Sequence, residues 1–398
     1  MRVLFYLPVV TPWWFENIVA PLIRVTASEA EVHVLVPTFW NSIGIGPTQL
    51  APYTDLPHVH WHLMPGEENA ALRVSAADCP ELLDFVHQIR ADYTICRSAD
   101  FETPAKFPGK VRYLMEGGVP PFPTENHWAV LTSQPFDNGC LPALPAADRE
   151  RLATAIAPAW KHMHERFAAE DPSREAGLAA LGLPTDKRII ALPLEYEHHE
   201  NLFGVHRSYQ SNRDVVLGIA AHLGPDELLA VTDHPLNQLH VDTTEMRRAV
   251  ASLGDRAVLM PNVSKDSDDI VAQRINTTAR LIGCCDGVFV ELSKSFSVAG
   301  FFGTPMMRNT PFRTGGWLRS FSNFDDFLKS LRAGKRREPA PDDARVWFGF
   351  HLLNDVIDTQ HLDLGAADII GHFEQPVDPR RWDAALERYC EYVPELFA

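Results

Sequence analysis

Short, uninterrupted apolar runs alternate with amphipathic stretches along most of the chain. Val3–Leu7 and Val32–Pro37 flank the helical-looking segment Glu16–Thr26, which is the strand, helix, strand rhythm of a parallel sheet. Further strands are predicted at His58–His62, Tyr93–Cys96, Val111–Met115 and Ala129–Thr132, with a helix over Pro80–Ile89, enough to fill one three-layer domain. From Ala147 to about Gly182 the pattern turns helical and polar, and this is the best domain boundary. A second rhythm then runs through the strand Arg188–Leu194, the helix Arg213–Leu223 and the strand Leu228–Thr232. It continues with the strand Val258–Met260, the helix Asp268–Ile282, the strand Gly287–Leu292 and the helix Ser295–Phe302. Beyond Gly316 the period is helical, clearest at Asp325–Leu331, Ala344–Val356 and Pro379–Glu391. The expected class is α/β: a Rossmann-like domain over 1–175, a second over 176–330, and a helical segment over 331–398 packed on both. No internal repeat or low-complexity segment interrupts this order.

Composition narrows the function. The chain has 398 residues, 45% of them apolar, so it has ample material for cores, and 36 basic against 52 acidic residues give a net charge of −16. That surface repels phosphate backbones at long range and disfavours nucleic acid as a partner, whereas helix N-termini and a few cations still bind a small phosphorylated ligand locally. The six cysteines (Cys79, Cys96, Cys140, Cys284, Cys285, Cys390) form no CxxC pair and read as reduced thiols of a cytoplasmic protein. The apolar start Val3 to Val10 reads as a buried strand, and no stretch reaches the roughly 18 apolar residues of a membrane helix, so any association with the inner membrane would be peripheral. Lys335-Arg336-Arg337, the one compact basic run, reads as a solvated loop.

Doubly wound halves bind ligands at the carboxyl ends of their strands, which directs attention to polar residues just after those strands. Glu116-Gly117-Gly118 follows one strand: a carboxylate there serves as general base or acid beside two glycines that leave room for a substrate, or simply occupies a turn. His234-Pro235 follows another; the proline restricts the histidine backbone, and an imidazole so placed binds or protonates a departing phosphate, or is an ordinary loop residue. Ser293-Lys294-Ser295 leads from a strand into an apolar helix, a place suited to an anion and equally explained by N-capping.

Glu116-Gly117-Gly118, His234-Pro235 and Ser293-Lys294-Ser295, in this order, resemble motifs of the bacterial GT-B glycosyltransferases that use CMP-activated ulosonic acids. The chain is similar to the capsule-polysaccharide Kdo transferases and, more distantly, to the bacterial sialyltransferases. The run Ser293 to Gly303 and Gly316-Trp317-Leu318 strengthen the Kdo-transferase side, and the resemblance spans roughly Met115 to Leu318. It implies a GT-B fold and transfer of Kdo from CMP-Kdo to a surface-glycan or glycolipid acceptor, with the CMP-sugar as substrate and no further cofactor or metal. By that resemblance Glu116 and His234 are catalytic, and since there is no Asp between Pro193 and Gly204, Glu197, Glu200 or His199 would stand where the retaining enzymes place a nucleophilic aspartate, or the reaction forms no covalent intermediate and Glu116 as base gives inversion. Donor contacts would come from Gly117, Gly118, His199, His234, Pro235, Ser293, Lys294, Ser295 and Arg313, with Lys294 or Arg313 toward the sugar carboxylate.

Rival readings start from other residues. His58, His60 and His62 alternate on one face of a predicted strand, a geometry for a metal-dependent hydrolase or equally the half-exposed face of an edge strand. Asp266-Ser267-Asp268 looks like a metal-binding Asp-x-Asp but precedes a predicted helix, where acidic residues cap. Pro12-Trp13-Trp14-Phe15 reads as a loop that stacks on an acceptor sugar or packs into a core. A non-catalytic glycan-binding protein is the remaining alternative. No GxGxxG, GxxxxGK[ST] or Gly-x-Ser-x-Gly is present, which argues against a dinucleotide dehydrogenase, a P-loop NTPase and an α/β-hydrolase.

Overall fold

The computed structural model describes residues 1–64, 80–136, 138–261, 269–334 and 340–398. Its strands are β1 (Arg2–Tyr6), β2 (Glu31–Pro37), β3 (Val59–Met64), β4 (Tyr93–Cys96), β5 (Lys110–Glu116), β6 (Trp128–Thr132), β7 (Arg188–Pro193), β8 (Glu227–Thr232), β9 (Ala257–Leu259), β10 (Gly287–Val290), β11 (Met306–Arg308), β12 (Ser320–Phe321) and β13 (Val356–Asp358). They form two sheets, ordered β13-β6-β5-β4-β1-β2-β3 and β12-β11-β10-β7-β8-β9. The second sheet is parallel throughout, and the first is parallel from β3 to β5 with β6 running antiparallel beside β5. Each sheet winds outward in both directions from its first strand, so its switch point lies between β1 and β4 in one half and between β7 and β10 in the other. Two Rossmann-like α/β domains facing a cleft, with helices at the C-terminus, are the GT-B arrangement.

Apolar runs become buried strands because helices cover both faces of these sheets. Val3 and Phe5 pack on one face of the first sheet while Leu4 and Tyr6 pack on the other. Val288 and Val290 face one side of the second sheet, and Phe289 the other. The helix Ala146–Glu170 presents Ile156, Met163 and Phe167 to the core of the second half and packs along the helix Asp342–Phe350.

The structure departs from the sequence pattern in places with a local cause. The segment read as one helix to Val356 leaves the α-helix at Phe350, passes through a π-helical turn and becomes β13, antiparallel to β6. Buried Asn354 anchors that exit, donating to the Pro376 carbonyl at 2.7 Å and accepting from Trp382 Nε1 at 3.1 Å. The C-terminal segment thus contributes a strand to the first sheet in addition to its helices. Pro12-Trp13-Trp14 is a helix start rather than a loop, capped by Thr11 Oγ1, which accepts from the Trp14 amide at 3.4 Å. The helix read over Asp268–Ile282 is two pieces, Ile270–Arg274 and Thr277–Cys284, the second capped by Asn276. Asp266-Ser267-Asp268, Lys335-Arg336-Arg337 and Cys79 lie outside the described residues. Among the described residues Cys96, Cys140, Cys284, Cys285 and Cys390 form no disulfide, and no helix is long and apolar enough to cross a membrane.

Candidate active site between the two domains

Glu116 is the last residue of β5, at the carboxyl edge of the first sheet, where a cavity of about 60 Å³ opens between the halves. Its side chain is 42% exposed, and Oε1 accepts from Arg97 Nη2 at 2.9 Å. Arg97 follows β4 and is nearly buried; it also donates to the Leu114 carbonyl at 3.1 Å and lies flat on Trp14, its Cζ 3.3 Å from the ring centroid. Lys294 reaches across from the second half and donates to the Glu116 carbonyl oxygen. Burial alone would raise the Glu116 pKa, but the charges of Arg97 and Lys294 outweigh it and hold the group at about 2. Burial brings the Lys294 ammonium down to about 8 against the pull of Glu116.

Of the two glycines after Glu116, Gly117 is required for space, whereas a Cβ on Gly118 would meet only ordinary contacts. A Cβ on Gly117 would stand 2.9 Å from the Trp128 carbonyl of β6, and one on Gly118 would stand 3.8 Å from Lys294 Nζ. His351 hydrogen-bonds the Gly117 carbonyl at 2.9 Å, and Ser297 donates to the Pro120 carbonyl, so residues 116–120 are held by side chains of the other half and the C-terminal segment.

On the second half, His234 and the serine turn are drawn together through groups that the sequence reading had passed over. Glu195, just after β7, accepts from the backbone amides of Leu292 at 2.9 Å and Ser293 at 2.8 Å through one oxygen. Asn237, buried three residues after His234, donates to the Glu195 carbonyl at 2.9 Å and to Asp233 Oδ1 at 2.9 Å. The His234 loop, Glu195 and the Ser293 turn are therefore one hydrogen-bonded unit at the carboxyl edge of β7, β8 and β10. This corrects one expectation: the amides of Leu292 and Ser293 already serve a carboxylate of the chain itself, so the turn's backbone is a clamp on Glu195. The two hydroxyls face each other, Ser293 Oγ to Ser295 Oγ at 3.0 Å.

His234 is partly exposed and stacks on Tyr196, with ring centroids 5.4 Å apart; burial lowers its pKa, and Asp233 opposes that. Its Nδ1 accepts from the Leu236 amide at 3.2 Å, while Pro235 stands exposed between them. Glu197 Oε2 accepts from the Asn212 amide at 2.7 Å, at the start of the helix Asn212–Ala220, and Glu200 Oε1 accepts from the Tyr196 hydroxyl at 2.8 Å. Each carboxylate is partly exposed and commits one oxygen to a neighbour. His199 is exposed, its ring 3.9 Å from that of His198. Arg313 is not at the serine turn: it lies against the first half, Nη2 3.5 Å from Ser133 Oγ, and lines a separate pocket of about 310 Å³ with Phe101, Tyr113 and Gln134.

The histidine constellation also changes. His58 has a left-handed backbone (φ 64°) and precedes β3, outside the group it was read into. The cluster that forms instead is Glu31, His33 and His60, with donor atoms within 4.8 Å of one another, and His62 Nε2 3.0 Å from His33 Nδ1. Glu31 and His33 open β2, at the amino-terminal end of a sheet whose carboxyl end carries Glu116, so this group and the cleft sit at opposite edges. Trp14, the candidate sugar platform, is 9% exposed and supports Arg97, while Trp13 is 46% exposed.

Arg97, Glu195 and Asn237 were within reach of the same rule that singled out Glu116, since Arg97 and Glu195 directly follow apolar strands. Gly316-Trp317-Leu318 turns out to be a clasp between the halves: Trp317 Nε1 donates to the Gly139 carbonyl at 2.6 Å, and the Gly315 amide to the Asn138 carbonyl at 2.9 Å.

No family model and no curated protein matches the chain. Among solved structures it is similar to Thermosulfurimonas dismutans KpsC, described as a beta Kdo 2,7 transferase, at 12% identity over 86% of this chain and 98% of that one, with a TM-score of 0.43. It is similar to the lipopolysaccharide outer core galactosyltransferase WaaB at 10% identity over 95% and 100% of the two chains, with a TM-score of 0.36. It is also similar to E. coli ADP-heptose lps heptosyltransferase II at 11% identity over 84% and 99%, with a TM-score of 0.28. At these identities and TM-scores the chemistry has to be read from the side chains of this chain.

Proposed function

We propose that the chain is a glycosyltransferase that moves a ulosonic acid, Kdo from CMP-Kdo, to a hydroxyl of a surface-glycan or glycolipid acceptor. The observation that carries the reading is the cleft itself, in which an ionised carboxylate on one half faces a cationic and hydroxyl-bearing edge on the other, with Lys294 spanning the two. The donor sits on the second half. Its phosphate lies toward His234, Ser293 and Ser295, and positive charge from Lys294 and the N-terminus of the helix Ser295–Phe302 stabilises the CMP leaving group. The acceptor sits on the first half, where Glu116 takes the hydroxyl proton as the new glycosidic bond forms and the bond to phosphate breaks. Arg97 positions Glu116 and keeps it ionised, the form a base requires. The same chemistry places the protein in the cytoplasm, where nucleotide sugars are made, working on acceptors at the inner-membrane surface.

Incubation with CMP-Kdo, and in parallel CMP-sialic acid, with CMP release as the readout, tests this. Glu116→Gln is expected to reduce transfer by about 10²-fold or more while CMP still binds, and His234→Ala to weaken CMP. Release from CMP-sialic acid alone moves the donor within the ulosonic acids. Absence of both CMP release and CMP binding overturns the reading.

A further inference from the structure

β11 ends at Arg308, which stands in parallel register beside Val290 of β10, so both side chains project from the same face of the sheet, toward the helix Ser295–Phe302. Arg308 is 4% exposed, and its Nε, Nη1 and Nη2 all lack a hydrogen-bond partner. A guanidinium has five N–H donors, and a buried polar group left without partners is both rare and costly. The face of the group is covered: its Cζ lies 4.9 Å from the centroid of Phe296, a residue that lines the interdomain cavity. The Glu195 carboxylate acts on it through space while its Oε1 accepts from the amides of Leu292 and Ser293. Burial lowers the Arg308 pKa to about 10, so the group is charged at neutral pH.

A fixed, charged, unpartnered fork beside the serine turn, at the carboxyl edge of a doubly wound sheet, is a preorganised receptor for an oxyanion. We propose that Arg308 binds an oxyanion of the donor substrate, a carboxylate or phosphate group engaged by the guanidinium edge while Phe296 covers its face. It gives Arg308 a role toward a donor anion like the one that the resemblance implied for Lys294 or Arg313. It deepens the donor reading given above and rests on it only for the donor's identity. The cost of holding the charge unpaired in the free protein is offset when the ligand arrives, so stability and affinity respond to substitution in opposite directions.

Arg308→Gln and Arg308→Lys in the full chain provide the test, with CMP and UDP binding by calorimetry, KM for CMP-Kdo, and thermal melting. If Arg308 holds the nucleotide phosphate, Arg308→Gln weakens CMP about tenfold or more. If it holds the sugar carboxylate, CMP affinity is unchanged and the KM for CMP-Kdo rises about tenfold or more, with Arg308→Lys restoring part of either loss. In both cases ligand-free Arg308→Gln melts at or up to about 2 °C above the wild type. A wild type that binds UDP and not CMP, with the binding lost in Arg308→Gln, upholds the oxyanion site and overturns the CMP-donor reading. Unchanged CMP affinity together with unchanged KM overturns the oxyanion site and leaves the donor reading standing. A clear drop in melting temperature in both variants, or a wild type that binds none of these probes, also overturns it.

Discussion

The carboxyl edges of the two sheets carry the same charges in swapped places. In the first half a cation, Arg97, follows the fourth strand of the winding order and an anion, Glu116, ends the fifth; in the second half an anion, Glu291, follows the fourth and a cation, Arg308, ends the fifth. The first pair is closed, at 2.9 Å. The second is open. Glu291 turns instead to Arg207, at 3.4 Å, and to the Ser208 amide, at 2.7 Å, and Arg308 is left without a hydrogen-bond partner. In the first half the ion pair fixes the orientation of Glu116 and leaves only the Nε of Arg97 without a partner. The other holds donors in reserve, which is what a ligand site requires. A partnered buried charge is a positioning device, and an unpartnered one implies something to be bound.

The largest effect expected is acid lability, centred on two histidines packed against the first half. His351, on the Gly117 carbonyl, has its pKa lowered to about 4 by burial, and His372, in the helix Ala366–Glu374, is lowered to about 3 by burial and the nearby Arg381 and Arg112. Both folded values lie below the unfolded 6.5. Above pH 6.5 neither state holds the proton; below it the unfolded chain takes up protons the folded one refuses, so stability falls as pH drops from 6.5 through about 4 and toward about 3. His351 alone accounts for roughly 3 kcal/mol. Melting curves between pH 7 and 3.5 check this, and His372→Leu should flatten the slope. A melting temperature that is level across that range breaks the assignment. Glu116 has the opposite kind of partner and a lower window: its contribution is complete above about 4.5 and is lost only as pH falls through about 2.

Next in size, Arg97→Met should cost about 2–3 kcal/mol in urea denaturation, at the low end for a broken ion pair because Glu116 is 42% exposed. An Arg97→Met protein as stable as Arg308→Gln would erase the difference between the two edges. Gly315→Ala addresses the clasp that holds them face to face. A Cβ at 315 would stand 2.0 Å from the Gly139 carbonyl oxygen, so the backbone that accepts from Trp317 Nε1 must shift, at a cost of about 1–3 kcal/mol, seen as a lower melting temperature and faster proteolysis between the halves. The smallest effect is expected of His60→Ala, at the opposite edge of the first sheet: under about 0.5 kcal/mol in stability and no change in CMP release. Loss of turnover in that variant would reinstate the histidine cluster as a functional centre.

Ten strands of the two sheets were legible, most of them because a parallel strand covered on both faces is written as a run of apolar residues, as in Val3–Leu7 or Gly287–Leu292, and the edge strand β3 by its alternation. β11, β12 and β13 were not read, although β9 is as short as β11 and β13: β13 lies within a segment of helical period, and β11 and β12 stand outside the alternation of strands and helices that flagged β9. The site divides along the same line. Glu116, His234 and Ser293 were found by position at strand ends, and Arg308 escaped because its strand did. The residues expected to act from Glu197 to Glu200 were located, but their partners, the Asn212 amide and the Tyr196 hydroxyl, could not be read from spacing.

The amino-acid order by itself determined which segments are buried and which polar residues stand at their carboxyl ends, because burial is a property of a local run and a strand's direction follows from the rhythm around it. Which of those polar groups meet was decided only by the tertiary structure. Glu195 and Ser293 are 98 residues apart, and Lys294 and Glu116 are 178 apart. Hydrogen bonds act over about 3 Å, and nothing in the intervening sequence encodes that approach until the two sheets have packed.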